Sequence, residues 1–421
     1  MNIIRKPQGT LDILPEDSIK RIFIENEVRR IFSNYNYKEI RTPTFEKTEL
    51  FKRGIGEETD IVSKEMYSFN NSEFTLKPEM TAPVIRAYIE NSLYNFSGIQ
   101  KLFYISNMYR HERPQAGRYR EFSQFGAEAI GSSDFYIDAE MISLGINILN
   151  NFGLTNLKIK INTIGNLDER KLYLDELKKY LSKHLNNLSE TSKKRLEINP
   201  LRILDTKDKT EIEILKESPI LYDYLSDETK NHFQNVCKIL EKINIKFVVD
   251  FRLVRGFDYY TSTTFEIISD DLGSQNAVFG GGRYDRLVEQ LGGKQTPAIG
   301  FACGIERLMI ILAKRNYDYP KQYGVDICFV SLGSEARDFS FKAIDALRKF
   351  DIICETDYLD RSMKAQMKEA NKLNAKYVVI IGDSELSSGE CTIKRMSDGE
   401  EKKIPLETIY TINKSNLHNI V

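Results

Sequence analysis

The chain has 421 residues, 41% hydrophobic and 29% charged, which is more than one hydrophobic core usually organises and excludes disorder over most of the length. Its 60 Lys and Arg balance 61 Asp and Glu, which excludes a generally cationic nucleic-acid coat but leaves room for a local basic patch that holds phosphates. Cys237, Cys303, Cys328, Cys354 and Cys391 lack metal-ligand or redox spacing and the histidines are scattered, so reduced thiols and no protein-built metal site are expected.

The chain opens without a signal-peptide pattern, and its longest apolar runs, such as Val378 to Ile381, are far too short for a bilayer. A cytoplasmic protein without a membrane partner is expected. Residues 16–34 space Ile19, Ile22, Phe23, Val28, Ile31 and Phe32 as an amphipathic helix. Tyr37 to Phe45 reads as an extended edge or interface segment, because Pro43 cannot donate to a ladder. Residues 101–130 predict two strands joined by a polar turn that holds Pro114 and Gly117. Alternation along the second strand puts Arg120, Phe122, Gln124, Gly126 and Glu128 on one face. Ser123, Phe125, Ala127 and Ala129 fall on the other, small and mostly apolar, face.

Residues 167–242 turn lysine- and glutamate-rich with helical spacing and predict a helical insertion. Strands resume from Phe247 to Ile268, followed by strand–glycine–helix transitions at Gly280–Gly282 and Gly300–Gly304. A polar, proline-containing break spans Tyr317 to Tyr323. Beyond it strands and helices alternate, which predicts a small α/β domain around a largely parallel sheet, with a hairpin turn at Asp398-Gly399.

Several stretches could carry chemistry. Arg110, Arg113, Arg118 and Arg120 crowd one hairpin, and arginine's planar fork suits phosphate and carboxylate oxygens. Phe122 could stack on a base. A solvated hairpin with a charged outer face explains the same spacing equally well. In Leu253-Val-Arg-Gly-Phe-Asp-Tyr-Tyr260, Arg255 and Asp258 bracket a glycine; on a strand Tyr259 and Tyr260 would face opposite ways. An ordinary turn is the plainer alternative. Gly280-Gly-Gly-Arg-Tyr-Asp285 permits close backbone approach to a ligand, although most glycine clusters mark turns. Arg307 falls in the first turn of a helix, where the dipole disfavours a cation. Either an anionic ligand or the neighbouring Glu306 could balance it. Lys77-Pro-Glu-Met-Thr81 reads as a helix start with proline early.

Together these stretches resemble the class II aminoacyl-tRNA synthetases, and within them the histidyl-tRNA synthetase family, over essentially the whole chain. The Tyr37–Pro43 segment is similar to the first class motif, YRHERPQAGRYREF to the second and GFACGIERL to the third. LVRGFDYY and GGRYD resemble stretches far more specific to the histidine enzymes, and NPLRILD, at Asn199 to Asp205 inside the insertion, adds a further match. Lys77 and Cys303 depart from residues common in the family, arginine and methionine.

The resemblance implies an α+β fold. Residues 1–322 would form a catalytic domain on an antiparallel sheet, with the insertion at about 167–242, and residues 323–421 an α/β anticodon-binding domain. It implies ligation of L-histidine to tRNA(His) through a histidyl-adenylate, with ATP and Mg²⁺, by a homodimer. Arg255 and Arg110 would be catalytic. Glu79, Met80, Thr81, Gln124, Glu128, Tyr259, Tyr260 and Tyr284 would join them around histidine. Glu112, Arg118, Phe122 and Arg307 would join Arg110 on ATP. Arg113 and Gln115 would meet the tRNA acceptor end. The alternative is a non-catalytic paralogue that regulates ATP phosphoribosyltransferase, a role in which signature arginines and the last domain are generally lost.

Overall fold

The computed structural model describes residues 3–56, 59–114, 117–155, 157–272, 277–320 and 324–420. The chain falls into two compact units, Met1–Tyr317 and Asp318–Val421. The expected domain boundary at 322–323 falls on residues outside the described ones.

The first unit is built on one large sheet. Its strands are β1 (Lys38–Glu39), β5 (Gln100–Tyr109), β6 (Glu121–Ile130), β7 (Lys158–Thr163), β8 (Val248–Val249), β9 (Thr261–Ile268), β10 (Ala277–Arg283) and β11 (Ala298–Gly304). Their order is β1-β5-β6-β11-β10-β9-β7-β8. The six inner strands are antiparallel, and β1 and β8 pair in parallel at the two edges. A small sheet of β2 (Phe45–Lys47), β3 (Tyr67–Phe69) and β4 (Phe74–Leu76) stands apart, in the order β2-β4-β3.

Two helices cover one face of the large sheet. Helix α1 (Pro15–Asn34) starts with proline and acidic residues in its first turn, as the helix dipole favours. It buries Ile24, Val28, Ile31 and Phe32, one helical stripe. Phe32 stacks on Phe103 at 4.6 Å and meets Phe125 edge-on at 6.3 Å. Ile19 and Ile22, expected on that stripe, are exposed instead. After α2 (Thr48–Ile55) and α3 (Thr81–Glu90) comes α4 (Phe135–Asn151), which packs so closely that a Cβ at Gly145 would lie 2.6 Å from the ring of Phe279. Phe125, Ala127 and Ala129 are buried on this side, so Gln124 and Glu128 point to the opposite face, as the alternation of β6 predicts.

The insertion comprises α5 (Leu167–Ser182), α6 (Glu190–Ile198), α7 (Lys209–Lys216) and α8 (Asp227–Lys242). All four start on a side-chain cap, from Asn166, Ser189, Asp208 and Ser226 in turn. Helix α8 reaches back to the sheet's covering layer. His232 lies 2.8 Å from Asp138 of α4, which also pairs with Arg283 at 2.6 Å and accepts from Thr263 at 2.7 Å. Short α9 (Leu287–Gln290) and α10 (Ile305–Lys314) complete the unit.

The second unit holds β12 (Ile327–Ser331), α11 (Ser334–Arg348), β13 (Cys354–Thr356), α12 (Met363–Lys372), β14 (Tyr377–Ile381), α13 (Asp383–Ser388), β15 (Glu390–Arg395) and β16 (Glu401–Pro405). Strands β13, β12 and β14 are parallel. Strands β15 and β16 add an antiparallel hairpin, so the sheet is more mixed than the strand–helix alternation predicts. Gly399 closes that hairpin at φ +80°, a conformation glycine adopts without strain. Ile327, Phe329, Ile344, Leu347, Val379 and Ile393 share its core. Among the described residues no helix is long and apolar enough to cross a membrane.

Candidate active site

A cavity of about 660 Å³ opens on the uncovered face of the large sheet. One end is rich in arginine. Residues 110–114 and 117–120 lie beyond the last rung of the β5–β6 ladder, Tyr109 opposite Glu121. Arg110 donates Nε to the Pro78 carbonyl at 2.8 Å and lies over the rings of Phe122 and Phe257, at 5.3 and 5.8 Å. Glu112 pairs with Arg118 at 3.1 Å and approaches Arg110 at 3.8 Å. The hairpin thus turns Arg110 and Arg118, but not Arg113 or Arg120, onto the cavity, and the solvated-face alternative fails for the two that line it.

Arg307 comes from the first turn of α10. It donates to the carbonyls of Gly117, at 3.2 Å, and Ala277, at 2.6 Å. Glu306 is not its partner. That carboxylate accepts the Ser123 backbone N–H at 3.0 Å and faces Arg21 at 3.4 Å. Burial lowers the pKa of Arg307, and Arg118 adds to the effect. An anion in the cavity would reverse both penalties.

Arg255 also lines the cavity. It is paired with Glu266 of β9. Its guanidinium lies against Gly280, where any Cβ would collide with it. The glycine run is therefore explained by tertiary packing and not by a turn. Gly280–Gly282 lie inside β10, and Cβ atoms at 281 and 282 would strike the carbonyls of Gly300 and Thr263. The expected strand–glycine–helix transition is corrected accordingly. Burial opposes the charge of Arg255, but Glu266 and the tyrosines beside it outweigh burial and hold its pKa above the ordinary value.

The other end is made of hydroxyls around one carboxylate. Glu128 is fully buried. Thr81 donates to its Oε1 at 2.9 Å, and Tyr284 donates to its Oε2. Gly300, opposite Glu128 across the β6–β11 pair, leaves the space a Cβ would take from the carboxylate. Burial pushes the Glu128 pKa up to about 8, against the pull of Tyr284, Thr81 and Tyr104. Glu79 is also buried; it accepts the N–H groups of Thr81, at 2.7 Å, and Ala82, at 2.9 Å, and so caps α3. Pro78 precedes this cap, so the expected early proline of the helix is corrected too: α3 starts at Thr81.

Tyr259 and Tyr260 are not on a strand, since β9 begins at Thr261. The turn directs both rings the same way, 4.7 Å apart, and both line the cavity. Met80, Gln124 and Tyr104 line it as well. Tyr284 packs edge-on against Tyr259 at 5.6 Å, so it and Glu128 stand behind the cavity wall. Arg113 is exposed and off the wall. Gln115 lies outside the described residues.

Sequence reasoning missed Glu266 and Tyr104. A lone carboxylate within the apolar run of β9 was the available signal for the first. Nothing local marks the second, which is identified by Gly126 making room for its ring. It also missed that the insertion reaches the cavity, through Leu204, Asp205, Thr206 and Lys207.

Known relatives cover nearly the whole chain. The family model for histidyl-tRNA synthetase matches residues 9–308, and that for an anticodon binding domain matches residues 326–416. A histidine–tRNA ligase of Halothermothrix orenii is 50% identical over 96% of this chain and 98% of its own length. The crystal structure of apo histidyl-tRNA synthetase from S. aureus superposes with a TM-score of 0.82 at 37% identity, covering 97% of this chain and 99% of that one. An ATP phosphoribosyltransferase regulatory subunit/histidyl-tRNA synthetase from Bacillus halodurans C, 24% identical with a TM-score of 0.65 over 91% of this chain and 99% of that one, shares the fold alone. The chain belongs to the histidyl-tRNA synthetase family of class II aminoacyl-tRNA synthetases.

Proposed function

We propose that this protein ligates L-histidine to tRNA(His) at the expense of ATP, through a histidyl-adenylate. The observation that carries the reading is one cavity with five arginines on its wall, Arg110, Arg118, Arg252, Arg255 and Arg307, and a buried carboxylate behind its far end. A histidine carboxylate oxygen attacks the α-phosphorus of ATP, and the bond to the bridging oxygen breaks to release pyrophosphate. Two anions must meet, so fixed cations at the meeting point lower the barrier. Arg110 and Arg255 serve that purpose. Arg118 and Arg307 hold other phosphate oxygens, and Glu112 and Phe122 hold adenine. Glu79, Thr81 and Gln124 take the substrate ammonium beside Met80. Glu128 and Tyr260 read the imidazole nitrogens, with Tyr259 and Tyr284 shaping that subsite. A hydroxyl of the terminal tRNA ribose then attacks the histidyl carbonyl, and AMP leaves. Arg113 and Gln115 meet the acceptor end.

Among the described residues no group of three or more His, Cys, Asp or Glu converges as a metal cage. Mg²⁺ would accompany the phosphates of ATP, as part of the substrate. Residues 1–322 act as the catalytic domain and 323–421 as the anticodon-binding domain. Two features support a homodimer: the edge position of β1 and the exposure of Ile19 and Ile22. Free cysteines throughout suit a cytoplasmic location. The test is charging of a tRNA(His) transcript with labelled histidine and ATP. Efficient charging is expected; a chain that binds histidine and charges nothing would return the regulatory paralogue to first place.

A further inference from the structure

The segment 253–260 carries Arg255, Tyr259 and Tyr260, yet it is made of turns and bends. An irregular segment keeps its shape only through the groups that tie it down. On one side, Asn162 of β7 donates to the Leu253 carbonyl at 2.9 Å, and the Asp258 N–H reaches the Ile55 carbonyl at 3.2 Å. Four further ties, to three residues of the segment, come from the insertion. Arg202 donates to the Gly256 carbonyl at 2.7 Å and to Asp258 Oδ1 at 3.1 Å. Asn199 donates to the same Oδ1 at 3.1 Å. Arg170 of α5, itself buried, donates to the Tyr260 carbonyl at 2.7 Å. The other carboxylate oxygen of Asp258 faces Gly56, where a Cβ would stand 2.6 Å away. Arg202 therefore fixes the residue immediately after Arg255, and the insertion holds the segment at three points.

We infer that Asn199 and Arg202 are positioning residues for amino-acid activation: through Gly256 and Asp258 they hold Arg255 in place, so the seating of the insertion sets the rate of the first chemical step. Neither residue lines the cavity; both act through the segment they grip. The inference rests on the reading of Arg255 given above and assigns a purpose to the NPLRILD stretch. A reacting geometry shifted by about 1 Å costs on the order of 100-fold in rate even when the altered residue is remote.

The test is a double-mutant cycle on the full chain, read by pyrophosphate exchange into ATP at saturating histidine. Arg202→Ala should lower kcat by about 10- to 100-fold while KM for ATP stays within about 2-fold. Arg202→Lys, which keeps one donor, should recover part of the loss. In an Arg255→Ala background, Arg202→Ala should add less than about 2-fold, because its effect passes through the missing guanidinium. Losses that multiply, or an unchanged kcat in Arg202→Ala, would overturn the inference. Near-normal exchange by Arg255→Ala would instead overturn the reading beneath it. Should Arg202→Ala fold poorly, Asn199→Ala removes a single donor and should give a smaller, equally non-multiplying loss; a multiplying one would count against the inference.

Discussion

Burial acts on both ends of the cavity with opposite results. At the arginine end charges are paired: Glu112 stands between Arg110 and Arg118, and Glu266 pairs with Arg255 and helps to hold its pKa above the ordinary value against burial. At the tyrosine end Glu128 meets hydroxyls and, beyond them, the buried carboxylate of Glu79; burial wins, Glu79 adds to it, and the Glu128 pKa rises to about 8. The first end is built to receive anions that bring their own charge. The second offers an acceptor whose protonation depends on what arrives beside it. Ion pairing decides which outcome burial produces.

That contrast can be broken at either end. Arg255→Ala should give the largest effect, a fall in adenylate formation on the order of 10²–10³-fold, as for other groups that stabilise developing charge. ATP should still bind, because Arg110, Arg118 and Arg307 remain. Single-turnover adenylate formation measured beside ATP binding decides this, and a parallel loss of both would make Arg255 a mere binding group. Next, Glu128→Ala should raise KM for histidine by roughly 10²-fold or more, since an imidazole N–H would be left without its acceptor. KM for ATP should change far less. Equal effects on the two substrates would erase the distinction between the ends.

The smallest effect concerns stability. The folded pKa of Glu128, about 8, lies above its ordinary value of 4.5. The folded state therefore holds this proton more tightly than the unfolded chain. The resulting stabilisation is complete below pH 4.5 and is lost as pH rises through 8, with a slope of up to about 1.4 kcal/mol per pH unit. Glu128→Gln, which cannot ionise, should lose less stability than the parent between pH 5 and 8. Denaturant melts of ligand-free protein across that range check it, and parallel slopes would show that Glu128 is not shifted.

The arginine end was more legible in the sequence than the tyrosine end. The alternation of β6 correctly sends Phe122, Gln124 and Glu128 to one face, because a period of two survives any tertiary context that keeps the strand. The two units follow from the polar break and the strand–helix alternation beyond it. The glycines at 280–282 were misread because a glycine run signals a turn locally, whereas their cause is the guanidinium of Arg255 and two cross-strand carbonyls. Tyr259 and Tyr260 were misplaced for a similar reason. Their turn is held by Arg170 and Arg202, far away in sequence, and no local pattern reports such ties. Glu306 was a plausible neighbour for Arg307 in sequence, but successive helical residues point in different directions, and Ser123 and Arg21 claim it.

On the proposed function both ends of the cavity serve one reaction, the activation of histidine by ATP. Pyrophosphate exchange into ATP, run with each amino acid in turn on the full chain, tests it most directly. Exchange should depend on histidine and stay at background with every other amino acid. Exchange driven by a different amino acid would contradict the assignment of the tyrosine end, and exchange with none would contradict that of the arginine end.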